Sequence, residues 1–434
     1  MKILICDPIS PKGIELLQCR PEFSVTVLPK RLPEAELLPV VADVAAMVVR
    51  SETKVTRAVI EAAPKLRVVG RAGVGVDNVD VEAATQHGVV VMNTPGGNSV
   101  STAELAFAML LALARKVPWA HASMAAGKWD RKQFAGVELA GKTLGVLGMG
   151  RIGSEVAKRA LAFGMKVIGY DPFLTEGRAR ALGVQWPTDL DAVYQAADFI
   201  TVHMPVTELT RGMLNAAAFA KMKPSARLVN CARGEILVEN DLLAALDRGQ
   251  IAAAALDVYA TEPLPAEHPF RQHPGITLTP HLGASTAEAQ EKCGIEVAEV
   301  ITSYLLTGEV RNAVNLPFLD AKTYELIKPY MTLGEKIGKL LAQLAPAQVD
   351  RVRITYGGKA QELPNIDPVT RAVLLGFLSR AGVDDLNNIN VRSIAATLGL
   401  AIEEKRSNEP VTFNEWLHVQ VFNGGEKVIS AGGT

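Results

Sequence analysis

The sequence predicts an α/β protein with two doubly wound parallel-sheet domains followed by a C-terminal α+β domain. Short apolar runs alternate with helical patterns over most of residues 1–282. Two long helical segments, near residues 102–116 and 285–307, separate these runs into groups. Beyond residue 316 the alternation stops, and strand-like and helix-like segments are mixed. These three observations decide the fold class.

The first group of apolar runs predicts an open sheet over residues 1–97. Its predicted strands are residues 3–6, 25–28, 46–49, 68–70 and 89–92. Helices are predicted between them, for example at 14–18 and at 57–63, where a proline follows. Alternation of this kind is typical of a parallel sheet covered on both faces. A capping box, Ser101-Thr-Ala-Glu104, then predicts the start of the first long helix.

Residues 143–171 form a predicted βαβ unit with a glycine-rich turn. An apolar run is followed by Gly148, Gly150 and Gly153 at G-x-G-x-x-G spacing, then by a helix and a second apolar run ending in Asp171. The three glycines permit the tight turn, the approach of a pyrophosphate and the packing of helix on strand. The helix N-terminus offers free N–H groups to the phosphates. Asp171 can bind a ribose 2′-hydroxyl and would repel a 2′-phosphate, so NAD is favoured over NADP.

A turn with this spacing can also be an ordinary tight βα turn. Residues 71–77 likewise follow a predicted strand, but they lack the third glycine and the downstream strand with an acidic end. In residues 143–171 every part of the pattern is present, which favours the dinucleotide interpretation.

Apolar runs resume after this unit and predict a second doubly wound sheet. Its further strands are residues 199–203, 227–230, 253–256 and 276–279. A second capping box, Ser285-Thr-Ala-Glu288, predicts the other long helix. The simplest topology inserts an NAD-binding Rossmann domain, residues 98–282, into a flavodoxin-like substrate-binding domain made of residues 1–97 and 283–315. A small ligand is expected between two such lobes.

Residues 316–434 predict a third, α+β domain with no recognisable catalytic group. Strands are predicted at 351–356 and 417–422, helices at 367–381 and 391–400, and a polar segment at 403–409. The sequence ends soon after a predicted strand, which leaves a truncated end as an open alternative.

Composition excludes several classes of function. The net charge is −1 with no long basic run, which argues against binding nucleic acid or a membrane surface. No leader peptide and no apolar run of ~18 residues is present, so a cytoplasmic protein is expected. The four cysteines lack C-x-x-C spacing, which indicates reduced thiols and no metal site.

Three polar side chains follow predicted strands of the second sheet, where open α/β sheets place their ligands. Arg233, Glu262 and His281 suit hydride transfer at a secondary alcohol. His281 can take the hydroxyl proton, Glu262 would orient the ring and favour its cationic form, and Arg233 can hold a substrate carboxylate. Taken singly, Arg233 could be a salt-bridge partner and Glu262 a turn residue; their joint placement favours catalysis.

Other cysteine, tryptophan and histidine residues are expected to have structural rather than catalytic roles. Cys231 lies beside Arg233 without a paired base, so we expect it to pack rather than to attack a substrate. Trp119 and Trp129 are also expected to pack. The remaining histidines are expected to be surface or core residues; they are His87, His121, His203, His268, His273 and His418.

The sequence resembles the D-isomer-specific 2-hydroxyacid dehydrogenases over residues 1–315. The resemblance is carried by the G-M-G-R-I-G turn with Asp171 and by the N-C-A-R-G-E, L-D-V-Y-A-T-E-P and P-H-L-G-A-S segments. Residues 48–51, 70–78, 92–99 and 127–131 are similar to the branch that oxidises 3-phosphoglycerate, the first step of serine synthesis. The resemblance therefore implies an NAD-dependent dehydrogenase with 3-phosphoglycerate as substrate.

The resemblance also implies roles for individual residues. The implied catalytic residues are Arg233, Glu262 and His281. The implied cofactor contacts are Gly148, Gly150, Arg151, Ile152, Gly153, Asp171, Met204, Cys231, Ala232, Arg233, Asp257, His281, Gly283 and Val74. Asp257 would meet the nicotinamide amide. The implied substrate contacts are Arg50, Ser51, Arg71, Gly73, Val74, Gly75, Asn98 and Arg131, with the arginines around the phosphate. Val74 and Met204 stand where relatives can carry hydroxyl residues, so only backbone contacts are expected there.

The tail is similar to the intervening domain that long members of the family carry before an ACT domain, which binds serine. No ACT module follows in this sequence, so serine feedback through one is not expected. A homodimer through the NAD-binding domain, or a homotetramer, is expected. Two rival functions stay open: a glyoxylate or hydroxypyruvate reductase, which needs no phosphate site, and an NAD-sensing corepressor, which would show no turnover.

Overall fold

The first part of the chain alternates strands with helices around a parallel sheet. The elements are β1 Lys2–Ile5, α1 Pro11–Gln18, β2 Ser24–Val27, α2 Glu34–Val41, β3 Ala46–Val49, α3 Arg57–Glu61, β4 Val68–Arg71, α4 Val81–Gln86 and β5 Val90–Asn93. The strand order is β2-β1-β3-β4-β5, which is the flavodoxin-like order. Along β1, Leu4 faces one apolar cluster while Ile3 and Ile5 face another. Both faces are therefore buried, which explains the uninterrupted apolar runs.

The middle of the chain forms a second parallel sheet. The elements are α5 Ser99–Arg115, α6 Val117–Ala125, β6 Thr143–Leu147, α7 Arg151–Ala162, β7 Lys166–Tyr170, α8 Glu176–Leu182, α9 Leu190–Ala196, β8 Phe199–Val202, α10 Ala216–Phe219, β9 Arg227–Asn230, α11 Glu239–Asp247, β10 Ala253–Leu256 and β11 Ile276–Leu278. The strand order is β11-β10-β9-β8-β6-β7. Gln185 adds a parallel bridge to Ile168 on the outer side of β7. Residue 185 thus stands where the third strand of a Rossmann domain would lie. With it, the strands from β6 onwards have the order 3-2-1-4-5-6 of that fold, with β11 added as a seventh.

The last part of the chain forms a mixed sheet covered by helices. Helix α12 Ala287–Thr307 comes first and packs on the first parallel sheet through Val297, Ala298 and Ile301. The elements of the mixed-sheet domain are α13 Ala321–Leu344, β12 Arg351–Gly358, α14 Asp367–Leu378, α15 Val391–Thr397, β13 Ala401–Ser407, β14 Glu415–Asn423 and β15 Glu426–Gly433. The strand order is β13-β12-β14-β15, with β13 parallel to β12 and the other pairs antiparallel. The predicted fold class, two parallel-sheet domains and an α+β domain, is confirmed.

This computed structural model describes residues 1–187, 189–317, 321–346, 348–380, 386–409 and 412–434. The chain divides into two compact units, one of residues 1–95 with 293–434 and the other of residues 96–292. The end of the helix predicted at 367–381 lies outside the described residues. Among the described residues, no helix combines the length and apolar character needed to cross a bilayer. Cys6, Cys231 and Cys293 are buried free thiols and Cys19 is an exposed one.

Both predicted capping boxes are wrong in detail. Helix α5 begins at Ser99 with Asn98 as its N-cap, and the Ser101 hydroxyl donates to the carbonyl oxygen of Gly283 at 2.9 Å instead of capping the helix. Helix α12 begins at Ala287. The side chain that accepts an N–H in its first turn is Thr286, one residue after the predicted Ser285. Hydroxyl residues compete for the same N–H groups, and a capping motif alone does not decide between them.

Candidate active site

A histidine–carboxylate pair lies beyond the C-terminal ends of two neighbouring parallel strands of residues 96–292. Glu262 follows β10 and His281 follows β11. Nδ1 of His281 is 2.7 Å from Oε2 of Glu262. Because this hydrogen bond uses Nδ1, the ring nitrogen that can exchange a proton with a ligand is Nε2.

Asp257 organises the turn that carries His281. Its carboxylate is fully buried and accepts hydrogen bonds from the Thr279 hydroxyl at 2.6 Å and from the backbone N–H groups of Leu282 at 2.7 Å and Gly283 at 3.0 Å. Burial raises the pKa of Asp257, and these hydrogen bonds oppose the shift. His281 itself has a left-handed φ of 55°, which costs about 1 kcal/mol in a non-glycine residue. The turn is therefore held against local strain; the contact of Asp257 with nicotinamide stays a prediction.

Arg233 acts electrostatically on the same pair. Burial raises the pKa of Glu262, but the hydrogen bond from His281 and the positive charges of His281 and Arg233 outweigh it, so that the pKa lies below its usual range. The loop after β9, which carries Arg233, packs closely on the loop after β10, which carries Glu262. Gly234 allows this contact, because a Cβ at this position would lie 1.9 Å from the carbonyl carbon of Tyr259. The backbone N–H of Tyr259 in turn donates to Oε1 of Glu262 at 3.1 Å. The structure thus brings the three predicted catalytic side chains into one cluster.

The glycine-rich turn has the shape that a dinucleotide needs. Gly148 has a φ of +96°, and a Cβ there would lie 2.5 Å from the carbonyl oxygen of His203. A Cβ at Gly153 would lie 1.9 Å from the carbonyl oxygen of Gly148, which explains the close packing of helix on strand. A Cβ at Gly150 would meet nothing within 4 Å, and no side chain caps the helix at this residue. Open space beside uncapped N–H groups fits a pyrophosphate.

Asp171 lies at the end of β7 beside this turn. Its Oδ2 accepts from the backbone N–H of Met149 at 2.9 Å, and its Oδ1 accepts from that of Phe173 at 2.8 Å. Each carboxylate oxygen has further lone pairs. The carboxylate is therefore fixed in place and can still accept hydrogen bonds from ribose hydroxyls.

The other predicted cofactor residues of this unit lie at the same end of the sheet. Arg151 and Ile152 form the first turn of α7, Met204 follows β8, and Cys231 and Ala232 follow β9. Burial raises the pKa of the Cys231 thiol well above its usual range, so the thiol stays protonated. A buried protonated thiol agrees with a packing role rather than a nucleophilic one.

Two predicted substrate arginines of the unit of residues 1–95 and 293–434 both lie near the buried thiol of Cys293. Arg50 follows β3 and Arg71 ends β4. Burial and the negative charge of Glu296 raise the pKa of the Cys293 thiol, while the nearby Thr94 hydroxyl and the positive charges of Arg71 and Arg50 oppose the shift. Both guanidinium groups therefore lie close enough to act on one buried side chain.

The loop after β4 is fixed by hydrogen bonds to the end of β5. The carbonyl oxygen of Gly73 accepts from the Thr94 N–H at 2.9 Å, and that of Val74 accepts from Nδ2 of Asn93 at 2.6 Å. Gly73 has a φ of +152°, and a Cβ there would lie 1.7 Å from Nη1 of Arg71. A side chain at this position would therefore displace the guanidinium group of Arg71.

The remaining predicted substrate residues are distributed over both units. Ser51 is exposed and Gly75 half-buried in the first unit, whereas Asn98 and Arg131 belong to residues 96–292. Oδ1 of Asn98 is buried without a hydrogen-bond partner, and Arg131 is exposed at the start of a short 3-10 turn. Substrate contacts of these residues stay predictions.

Comparison with known proteins agrees with this geometry. The family model of the D-isomer specific 2-hydroxyacid dehydrogenase NAD binding domain matches residues 107–283, and that of the D-3-phosphoglycerate dehydrogenase intervening domain matches residues 326–434. The chain is 42% identical over 432 residues to D-3-phosphoglycerate dehydrogenase from Archaeoglobus fulgidus, covering 100% of this chain and 81% of that one. The chain belongs to the D-3-phosphoglycerate dehydrogenase family.

Further comparisons support the same family. The Synechocystis sp. D-3-phosphoglycerate dehydrogenase is 43% identical over 419 residues, covering 96% of this chain and 75% of that one. A solved NAD⁺-bound 3-phosphoglycerate dehydrogenase of Entamoeba histolytica has a TM-score of 0.62 and 28% identity, covering 74% of this chain and 99% of that one. As a family member, the protein is an NAD-dependent D-2-hydroxyacid dehydrogenase, which confirms the resemblance and the predicted cofactor.

Asn230, for which the sequence predicts no role, fixes the backbone of Arg233. Asn230 is fully buried at the end of β9. Its Oδ1 accepts from the Ala232 N–H at 3.0 Å, and its Nδ2 donates to the carbonyl oxygen of Arg233 at 2.9 Å. The available signal was a polar residue ending an otherwise apolar strand, because such a residue must find hydrogen-bond partners in the interior.

The lowered pKa of Glu262 predicts a pH-dependent effect of the Glu262→Gln substitution. A carboxyl whose pKa is lower in the folded state stabilises the fold above its ordinary pKa, and this contribution is lost as the pH falls through the lowered value. We expect the variant to unfold at a lower temperature than wild type at pH 7, and the difference to shrink towards pH 3. We also expect kcat to fall by about 10-fold, because glutamine keeps the hydrogen bond but loses the charge.

Thermal unfolding scans and pH–rate profiles of both proteins measure these effects. Glu267→Gln, at an exposed position of the same loop, is the matched control and should behave as wild type at each pH. A difference in unfolding temperature that stays constant from pH 7 to pH 3 would show that the charge of Glu262 has no part in the effect.

Proposed function

We propose that the protein oxidises D-3-phosphoglycerate at C2 to 3-phosphohydroxypyruvate, the first step of serine synthesis. The observation that carries the proposal is the cluster of His281, Glu262 and Arg233 at the ligand-binding end of a dinucleotide-binding sheet. The proposed substrate class rests on the family and on Arg50 and Arg71, which lie in the unit of residues 1–95 and 293–434. Residues 1–97 with 283–315 are proposed to bind the substrate, and residues 98–282 to bind NAD.

The proposed chemistry needs a proton acceptor, an anchor and a hydride acceptor. NAD⁺, when bound, supplies the hydride acceptor. Nε2 of His281 accepts the proton of the C2 hydroxyl as the C2–H bond breaks, and Glu262 stabilises the imidazolium that forms. Arg233 holds the substrate carboxylate through its planar fork and polarises the oxygen on C2. In the reverse direction, His281 returns the proton to the keto oxygen.

Selection of a phosphorylated substrate is proposed to rest on Arg50, Arg71 and Arg131. Arginine forms bidentate hydrogen bonds with phosphate oxygens and keeps its charge at all relevant pH values. Ser51, the backbone of residues 73–75 and Asn98 are proposed to complete the contacts. A reductase acting on glyoxylate would have no use for arginines that bind a phosphate.

The Arg131→Ala variant tests the substrate assignment. We expect it to lower kcat/KM for 3-phosphoglycerate by about 10- to 100-fold, because a charge-assisted phosphate contact is lost. Turnover of glycerate, lactate and 2-hydroxyglutarate should not change. NADH formation measures all four, with Lys132→Ala, at the adjacent exposed position, as the matched control. Equal losses on all four substrates, or faster wild-type reduction of glyoxylate, would contradict the proposal.

A homodimer through residues 96–292 is also proposed. Helix α6 has no buried residue, and Val117, Met124 and Trp129 are 57%, 52% and 75% exposed. The packing prediction for Trp129 is therefore wrong within one chain, whereas Trp119 does pack against the core. Exposed apolar side chains mark an interaction surface where they form one contiguous patch, and we propose that these three residues do.

Sedimentation velocity of the wild-type chain tests the homodimer. We expect a species of twice the chain mass, or of four times that mass if dimers pair. Trp129→Glu should shift it towards the monomer, because a carboxylate would be desolvated in the interface. A monomeric wild type would contradict the proposal.

A further inference from the structure

The loop that carries Arg50 is held by a buried carboxylate to which no role has been assigned so far. Asp7 follows β1 and is 2% exposed. Its Oδ2 accepts from the backbone N–H of Arg50 at 2.6 Å, and both of its oxygens accept from that of Thr53 at 3.1 Å. The Thr53 hydroxyl donates to Oδ1 as well. A buried carboxylate is costly unless donors surround it, and here the donors come from one short loop.

Asn78 holds the same loop from its carbonyl side. Its Nδ2 donates to the carbonyl oxygens of Arg50 at 2.8 Å and Thr53 at 2.6 Å. The N–H and C=O groups of Arg50 and Thr53 are therefore both fixed by side chains. Because Asn78 directly follows the loop after β4, the two loops proposed to bind the substrate are joined to each other.

The carboxylate of Asp7 binds the backbone of Arg50, whereas the guanidinium group of Arg50 binds a different acceptor. Nη1 of Arg50 donates to the carbonyl oxygen of Pro8 at 3.3 Å, which is a neutral acceptor. Both ends of Arg50 are thus anchored on residues 7 and 8, while its positive charge is not neutralised by that anchor.

We propose that Asp7 is a positioning residue for the phosphate end of the substrate, acting through the 50–53 loop with Thr53 and Asn78. Asp7 does not touch the reacting atoms, since the residue is 2% exposed and its carboxylate oxygens accept hydrogen bonds from Arg50 and Thr53. Its effect is therefore on the affinity for the phosphorylated substrate and not on the chemical step. The inference rests on the proposed function of Arg50.

The Asp7→Asn variant tests this inference. An amide of the same size would turn a donor towards the N–H groups of Arg50 or Thr53, so the loop loses its fixed geometry. We expect KM for 3-phosphoglycerate, and its dissociation constant from the NAD⁺-loaded protein by calorimetry, to rise by about 10-fold or more. The value of kcat, and kcat/KM for glycerate, should stay at the wild-type level.

Matched variants separate positioning from general damage. Asp80→Asn changes a carboxylate of the same unit that caps α4 by accepting from the Ala83 N–H, and it should leave KM unchanged. Thr53→Val removes the hydroxyl donor to Asp7 and should raise KM for 3-phosphoglycerate, whereas Thr53→Ser keeps the donor and should restore it. This pair decides the question if Asp7→Asn does not fold.

Two kinds of result would contradict these proposals. Equal losses of Asp7→Asn on 3-phosphoglycerate and glycerate, or an unchanged KM for 3-phosphoglycerate, would overturn the positioning role alone. Failure of the wild-type protein to bind 3-phosphoglycerate in the calorimeter would overturn the proposed function, and this inference with it.

Discussion

The His281→Ala variant is expected to lose about 10⁴-fold in kcat on every 2-hydroxy acid that the wild type oxidises. Its imidazole offers Nε2 as the proton acceptor of the cluster, because Nδ1 is already hydrogen-bonded to Glu262. A guanidinium group such as that of Arg233 cannot serve as a base. Steady-state NADH formation measures the loss, and fluorescence titration with NADH checks that the variant still binds the cofactor.

A matched histidine controls for the loss of an imidazole near a carboxylate. His268 of the same unit lies 3.3 Å from Oε2 of Glu239 through its Nε2. His268→Ala should keep wild-type turnover, because this pair is not part of the cluster around Glu262. Comparable losses in the two variants, or residual turnover above about 1% in His281→Ala, would remove His281 from its proposed role as acid and base.

Replacing Arg233 with lysine is expected to lower kcat/KM by about 10²- to 10³-fold on phosphorylated and unphosphorylated substrates alike. The positive charge remains, but lysine cannot offer two parallel N–H groups to a carboxylate. Loss of a carboxylate anchor affects every 2-hydroxy acid, in contrast to the selective effect expected for Arg131→Ala. Initial rates over a range of substrate concentrations give kcat and KM separately.

Arg227→Lys is the matched control for this substitution. Arg227 begins β9, the strand that Arg233 follows, and its guanidinium carbon lies 5.3 Å from the ring centre of Phe199. Its replacement should change stability more than turnover. If Arg233→Lys retained wild-type kcat/KM, bidentate binding of the carboxylate would be refuted.

The accuracy of the sequence predictions differs between the sheets for a physical reason. Strands β3 and β10 begin and end where their apolar runs predict, because a parallel strand buried on both faces must be apolar along its whole length. Strands β13 and β15 lie at the two edges of the mixed sheet. Their exposed faces permit the polar residues 403–406 and the glycines near the C-terminal end. Neither strand is therefore predicted by an apolar run.

Site residues were predictable where chemistry follows a local motif. The turn with Gly148, Gly150 and Gly153 is recognisable because one short segment must satisfy turn, phosphate and packing together. Asp7 and Asn230 were missed, since an isolated polar residue at a strand end shows its partners only when the fold is known. The partners of Asp7 lie 43 and 46 residues away in the chain.

By itself the sequence determined the α/β class, the dinucleotide turn and the identities of the three side chains proposed to carry the chemistry. The tertiary structure alone decided that His281 meets Glu262 at 2.7 Å, that the charge of Arg233 acts on Glu262, and that Asp7 holds the Arg50 loop. Periodicity and spacing record which residues are neighbours along a helix or strand. Contacts between loops depend on strand order and on close backbone packing, which no local pattern encodes.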